Sequence, residues 1–184
     1  ILLREPQLPP ADLSRLADGM RERIRSVGLA GKLPLVVSSR HPLLFPSLAG
    51  AGAVADAGAV ANAGQAPDVH LTGRDRDRRL AAVAGGAAPA TREGPALLGA
   101  SCHRPDDLVA ADRIGADFAV YGPVLPTASH PQATGIGWAG LGEAIERTPI
   151  PVYALGGVGP DDLDRAMRAG AHGIAMQRAA WGDD

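Results

Sequence analysis

Apolar positions along the chain follow two alternating periods, and that alternation indicates the class of fold. Leu13, Leu16, Ala17, Met20, Ile24 and Val27 recur at the spacing that lines one helix face, and Gly28 follows where a helix C-terminus favours glycine. Pro34-Leu-Val-Val-Ser38 is instead a short apolar run, with shorter ones at Val69-His-Leu71 and Leu2-Leu3. These predict buried strands. In the C-terminal half the pattern repeats. Ala96-Leu-Leu-Gly-Ala-Ser-Cys-His-Arg-Pro-Asp-Asp-Leu108 aligns with Pro151-Val-Tyr-Ala-Leu-Gly-Gly-Val-Gly-Pro-Asp-Asp-Leu163, and both copies go on to Gly-Ala, at Gly115-Ala116 and Gly170-Ala171. Each copy reads as a buried strand, a short loop, proline at the first helical position, two carboxylates at the helix N-terminus and glycine near its end. A third unit lies between them, with Asp117-Phe-Ala-Val-Tyr121 as strand and 138–147 as helix. The stretch 49–64 is almost entirely Ala, Gly and Val and fits a small-residue helix or a slack loop equally well.

Strands at 1–4, 34–38, 69–72, 96–101, 117–121, 151–156 and 172–176 alternate with helices, and a strand-loop-helix repeat of this length is that of a (β/α)8 TIM barrel. Seven strands are one short of closure, so residues 1–184 are expected to form a single α/β barrel domain lacking its N-terminal βα unit. A doubly wound open sheet also alternates strands and helices, but no Gly-x-Gly-x-x-Gly follows a strand here.

Charge and cysteine usage narrow the partners. Eighteen basic against 20 acidic residues give a formal net charge of -2, so no nucleic acid and no membrane is expected as a partner. Apolar runs fall well short of the roughly 18 residues of a bilayer span, and Arg4 and Glu5 interrupt the start too early for a signal peptide. Cys102 is the only cysteine, which fits a reducing, cytoplasmic setting. Lys32 is the only lysine, so any step that needs an ammonium must use it or a substitute.

Active sites of such barrels lie at the C-terminal ends of the strands. The residues there are Arg4, Ser38 to Arg40, Asp75, Ser101 to His103, Gly122 to His130, Gly156-Gly157 and Gln177-Arg178. Gly156-Gly157 and the Gly173 to Arg178 segment occupy the position where the last two strands of many barrels bind phosphate through backbone N–H groups, and Arg178 would add a fork of donors. Tight turns also require such glycines. Gly122-Pro-Val-Leu-Pro-Thr-Ala-Ser-His-Pro131 reads as a mobile loop bearing Thr127, Ser129 and His130. His103 has the side chain suited to moving protons near neutral pH; capping the next helix or bonding a loop carbonyl is the structural alternative. Cys102 is expected to point away from Ser101 and His103 as a packed small hydrophobe, and His70 to be structural. Histidine and carboxylate pairs with metal-ligand spacing are absent.

Leu3-Arg4-Glu5, Val69-His-Leu71 with Asp75, Leu98-Gly-Ala-Ser-Cys-His103, Gly115-Ala-Asp-Phe118, Tyr121-Gly-Pro-Val-Leu-Pro-Thr127, Pro151-Val-Tyr-Ala-Leu-Gly-Gly157 and Gly170-Ala-His-Gly-Ile-Ala175 resemble, in order, the signature blocks of the thiamine phosphate synthase and TenI family. The resemblance covers nearly the whole chain and is tightest from Leu97 to Ala175. It implies a (β/α)8 barrel and either of two activities: joining an aminopyrimidine diphosphate to a thiazole phosphate with Mg2+, or shifting protons to aromatise a thiazole carboxylate.

By that resemblance Arg4 matches a diphosphate contact and Asp75 a metal-site carboxylate. On the thiazole phosphate side Thr127 and Ser129 match hydroxyl contacts and Gly156-Gly157 the phosphate loop, with Arg178 standing where the family has a small hydroxyl residue; Ser101, on the strand face of His103, and Gln177, at a strand end, are candidate substrate contacts by position. His103 matches the histidine of the tautomerase branch. The departures cluster on the diphosphate side: Leu2 replaces a glutamine, Pro6 a lysine, Ser38-Ser39 an Asn-Asp pair and His130 the loop lysine. The Leu-Arg-Glu-Pro, Ser-Ser-Arg and Thr-Ala-Ser-His-Pro variants are similar to the barrel fused behind MutT-type Nudix hydrolases, which implies a Nudix domain upstream in the same chain. Three readings follow: a thiazole-phosphate enzyme, a non-catalytic ligand-binding domain of a Nudix hydrolase, or a barrel retained only as structure.

Overall fold

The structure is a computed structural model that describes residues 1–4, 7–30, 32, 34–38, 68–85, 97–127, 132 and 134–176. The chain divides into two compact units, Ile1–Leu98 and Gly99–Asp184. All seven expected strand intervals contain a strand, and every paired ladder is parallel. The alternatives for 49–64 lie outside the described residues.

In the first unit β1 (Leu2–Leu3) pairs with β2 (Val36–Ser38), and β2 with β3 (Val69–Leu71). Parallel neighbours need a crossover, which α1 (Pro10–Ser26) supplies between β1 and β2. Pro10 sits where its missing N–H costs nothing, and Arg23 and Arg25 face the negative end of the helix dipole. The buried stripe is narrower than the periodicity suggests. Leu13, Ala17 and Ile24 pack on Leu3, Leu35 and Val37, whereas Leu16 and Val27 stay exposed. A second helix, α2 (Gly73–Ala84), begins where the sequence offered only a strand end. Its arginine-rich first turns hide any apolar period; the available signal was Thr72 three residues before Asp75, an N-cap in which the Thr72 hydroxyl accepts from the Asp75 N–H at 3.3 Å.

In the second unit β4 (Leu98–Cys102), β5 (Phe118–Tyr121), β6 (Val152–Leu155) and β7 (Gly173–Ala175) pair in sequence order. They alternate with α3 (Pro105–Arg113), α4 (Gly137–Ile145) and α5 (Leu163–Arg168). The strands carry small residues, Ala100, Ala119 and Ala154, and the helices bring large ones, Leu108 and Leu141, into the same core cluster. Each of those leucines is fully buried, a contribution of about 1.5–3 kcal/mol. The sequence repeat is a repeat of hydrogen bonds. The Asp107 carboxylate accepts from the His103 and Arg104 N–H groups at 2.8 and 3.0 Å, and Asp162 accepts from the Gly159 N–H at 3.0 Å. At the far ends Gly115 and Gly170 take positive φ, 73° and 93°, and Ala116 and Ala171 close the same reverse bond onto Ala111 and Ala166. The copies differ in one respect: the second opens with a 3-10 turn, Pro160–Asp162, before α5.

Two outcomes follow from this packing. His70 is buried in β3, and desolvation, reinforced by the Arg4 guanidinium, lowers its pKa from 6.5 to about 4. The unfolded chain therefore binds the extra proton between those values, so the stability conferred by the neutral ring is complete above pH 6.5 and lost as pH falls through about 4. Urea unfolding should show about 3 kcal/mol of acid destabilisation across that window in the wild type and a distinctly shallower loss in His70→Gln. Asp107→Ala removes the shared acceptor of two N–H groups and should cost about 1–3 kcal/mol in the same assay. An unchanged midpoint would show that water replaces the carboxylate.

Candidate functional site

The end of β4 places three consecutive side chains in three environments. Cys102 is fully buried, as its alternation with Ser101 and His103 requires, and its thiol lies 3.4 Å from the Asp107 carbonyl oxygen. Ser101 is half-buried, and His103 reaches the surface. Of the two structural alternatives for His103, one is seen directly: the ring Nδ1 lies 2.7 Å from the Gly122 carbonyl oxygen, on the segment that follows the neighbouring strand β5. The ring does not cap α3; the Asp107 carboxylate does, taking the His103 backbone N–H. Below this point Tyr121 is buried, and desolvation, together with Asp107 and Cys102, pushes its phenol pKa up, so it stays neutral.

The loop after β5 is not slack over its described part. Val124 donates to Leu155 O at 2.8 Å, Leu125 to Gly156 O at 2.9 Å, Ile136 to Pro123 O at 3.1 Å and Gly137 to Val124 O at 2.9 Å. These bonds draw 122–126 onto the turn after β6 so closely that side chains are excluded. A Cβ on Gly122 would lie 1.9 Å from Leu155 O, one on Gly156 2.7 Å from Pro123 Cα, and one on Gly157 2.4 Å from Pro126 O. Gly156 and Gly157 also hold φ of +95° and +68°. Packing within the protein thus accounts for glycine at 156 and 157 without a ligand. Among the described residues, no backbone carbonyl accepts from the N–H of Gly157 or Val158. His103, the 122–127 segment and Gly156-Gly157 therefore form one contiguous surface. Thr127 ends that segment, half-buried. Ser129, His130, Gln177 and Arg178 lie outside the described residues.

The first unit gathers a separate set. Arg4 is exposed just past β1, and its charge acts on His70; Ser38 is buried and stands opposite His70 in the β2–β3 register. Asp75 is buried in the first turn of α2, where the Thr72 hydroxyl donates to its Oδ2 at 2.7 Å and Arg78 approaches Oδ1 at 3.7 Å. Pro6, Ser39 and Arg40 lie outside the described residues. Among the described residues, no helix is long and apolar enough to cross a membrane.

The model of the thiamine monophosphate synthase family matches residues 51–180. A thiamine-phosphate synthase of Salinibacter ruber is 39% identical over 88 residues, covering 47% of this chain and 39% of its own length. A putative thiamine-phosphate synthase 2 of Aquifex aeolicus is 40% identical over 79 residues, covering 43% and 42%. The chain thus spans about two fifths of the length of these relatives. A solved structure of thiamine phosphate pyrophosphorylase from Pyrococcus furiosus superposes with a TM-score of 0.65 at 24% identity, over 96% of this chain and 71% of that one, which shows the fold. The barrel class expected from the repeat is the class found, and the match over most of its length makes this chain a member of the thiamine monophosphate synthase family.

Proposed function

We propose that this chain binds a thiazole phosphate, or a ligand closely like it, at the strand ends of its second unit, and transfers protons on that ligand through His103 in thiamine biosynthesis or salvage. The observation that carries the reading is the 2.7 Å contact that fixes the His103 ring beside the segment packed on Gly156-Gly157. A positioned imidazole whose ordinary pKa lies near neutrality can take and return a proton without a metal, a step worth about 10²–10⁴ in rate. The phosphate would rest between Gly156-Gly157 and the Gly173 to Arg178 segment, chiefly on backbone N–H groups, with Gln177 and Arg178 adding side-chain donors and Ser101, Thr127 and Ser129 contacting the ring substituents.

The diphosphate end reads as reduced. Synthase chemistry depends on neutralising a departing pyrophosphate, yet Leu2, Pro6, Ser39 and His130 stand where the family resemblance places a glutamine, two lysines and a metal carboxylate. Asp75 is already engaged by Thr72 and faces Arg78, and the described residues include no group of three carboxylates, histidines or cysteines that could hold a metal. One carboxylate already bonded to the Thr72 hydroxyl and faced by Arg78 does not fit a Mg2+ site, and the proton transfer proposed for His103 needs no ion. The same losses favour a second reading, a ligand-binding domain behind a Nudix hydrolase. A Nudix motif encoded upstream of Ile1 would support it.

Titration calorimetry on the full-length protein should detect thiazole phosphate binding, weakened about tenfold by Arg178→Ala. No binding of this or any related phosphate would remove the reading. His103→Asn should lower thiazole tautomerisation by about 10²–10⁴ while leaving binding nearly unchanged. Equal rates in variant and wild type would clear His103 of the chemistry, and no activity in either would leave a binding domain. The full-length gene should fail to rescue a synthase-deficient bacterium; robust rescue would show that Arg4, Arg40, Asp75 and His130 suffice.

A further inference from the structure

We propose that the Gly122 backbone carbonyl is a positioning group that holds His103 in the Nδ1–H form, so that Nε2 is the ring atom that exchanges protons. The catalytic consequence rests on the function proposed above; the protonation pattern itself does not. A carbonyl oxygen only accepts, so a ring nitrogen 2.7 Å from it must carry hydrogen. Neutral imidazole has a single N–H, which leaves the lone pair on Nε2. Protonation adds the second hydrogen at Nε2 and keeps the first bond intact. Free histidine favours the opposite neutral form, with hydrogen on Nε2, so the contact reverses the default.

Both partners of this bond are held by the fold rather than by each other. Gly122 donates to Cys102 O at 3.2 Å on the β4 side, and on the β6 side its Cα lies so close to Leu155 O that a Cβ would come within 1.9 Å. Two residues on, Val124 donates to that same Leu155 oxygen. The carbonyl therefore cannot swing away without breaking contacts to two strands. His103 is fixed from its own backbone by the buried Asp107 carboxylate, 2.8 Å from its N–H. The residue is nevertheless exposed, and among the described residues the ring's recorded partner is on Nδ1, not Nε2.

The test is nitrogen-15 histidine labelling of the full-length protein with long-range proton–nitrogen correlation spectra. His103 is assigned through the signal lost in His103→Asn. At a pH above the ring's titration, His103 should show a pyrrole-like Nδ1 shift and a pyridine-like Nε2 shift. On acidification the Nε2 shift should move to the pyrrole-like position while Nδ1 stays nearly constant. The opposite assignment, or the averaged shifts of free histidine, overturns the proposal. Because the spectra need no turnover, an inactive protein that shows this pattern counts against the proposed function and for the carbonyl, and an active one with the reversed pattern does the converse.

Discussion

The close approach of the 122–126 segment to the turn after β6 is the constraint on which the second unit's site depends. At three places, Gly122, Gly156 and Gly157, two stretches of main chain come together with room for a hydrogen and no more. That proximity permits the bonds between Val124 and Leu155 and between Leu125 and Gly156. Those bonds in turn set the position of the Gly122 carbonyl and hence the direction of the His103 ring. Val124, fully buried within the segment, supplies its apolar anchor. Backbone geometry, rather than a network of charged side chains, therefore organises this surface, and a substitution that widens the gap would displace several groups together.

A second device, the carboxylate three residues after a loop N–H, orders the starts of both repeated helical segments. In the first copy Asp107 is buried and serves two donors; in the second Asp162 serves one and sits in a 3-10 turn. The first copy can therefore hold the two residues before its helix, His103 and Arg104, through one carboxylate. Identical sequence signals, Pro-Asp-Asp-Leu in both, thus open an α-helix in one copy and a 3-10 turn in the other.

The strands were legible because their apolar runs are short and bounded by Gly, Pro and polar residues, and the repeat fixed their spacing. The helix at 73–84 was not, since Arg74, Asp75, Arg76, Asp77 and Arg78 obscure any period and its N-cap was the one local mark. For the site, alternation along β4 correctly separated buried Cys102 from Ser101 and His103. The partner of the His103 ring could not be read from composition, because it is a main-chain oxygen brought near by strand pairing. The glycines at 156 and 157 showed the opposite problem. Their positions were plain, but the sequence could not say whether a ligand or the chain itself demands their smallness, and the structure shows that the chain does.

Cys102 lies between Ser101 and His103, and its Sγ is sealed against Ala100 and Asp107 oxygens. As the only thiol in the chain, it can meet a solvent reagent only when the end of β4 parts from the start of α3. Its alkylation rate, relative to that of a free thiol, therefore counts how often that junction opens, and gives the free energy of local opening beside His103 without any introduced label. A ligand that settles on this surface would slow the same reaction in proportion to its occupancy, so the protein carries its own gauge of whether the site is filled.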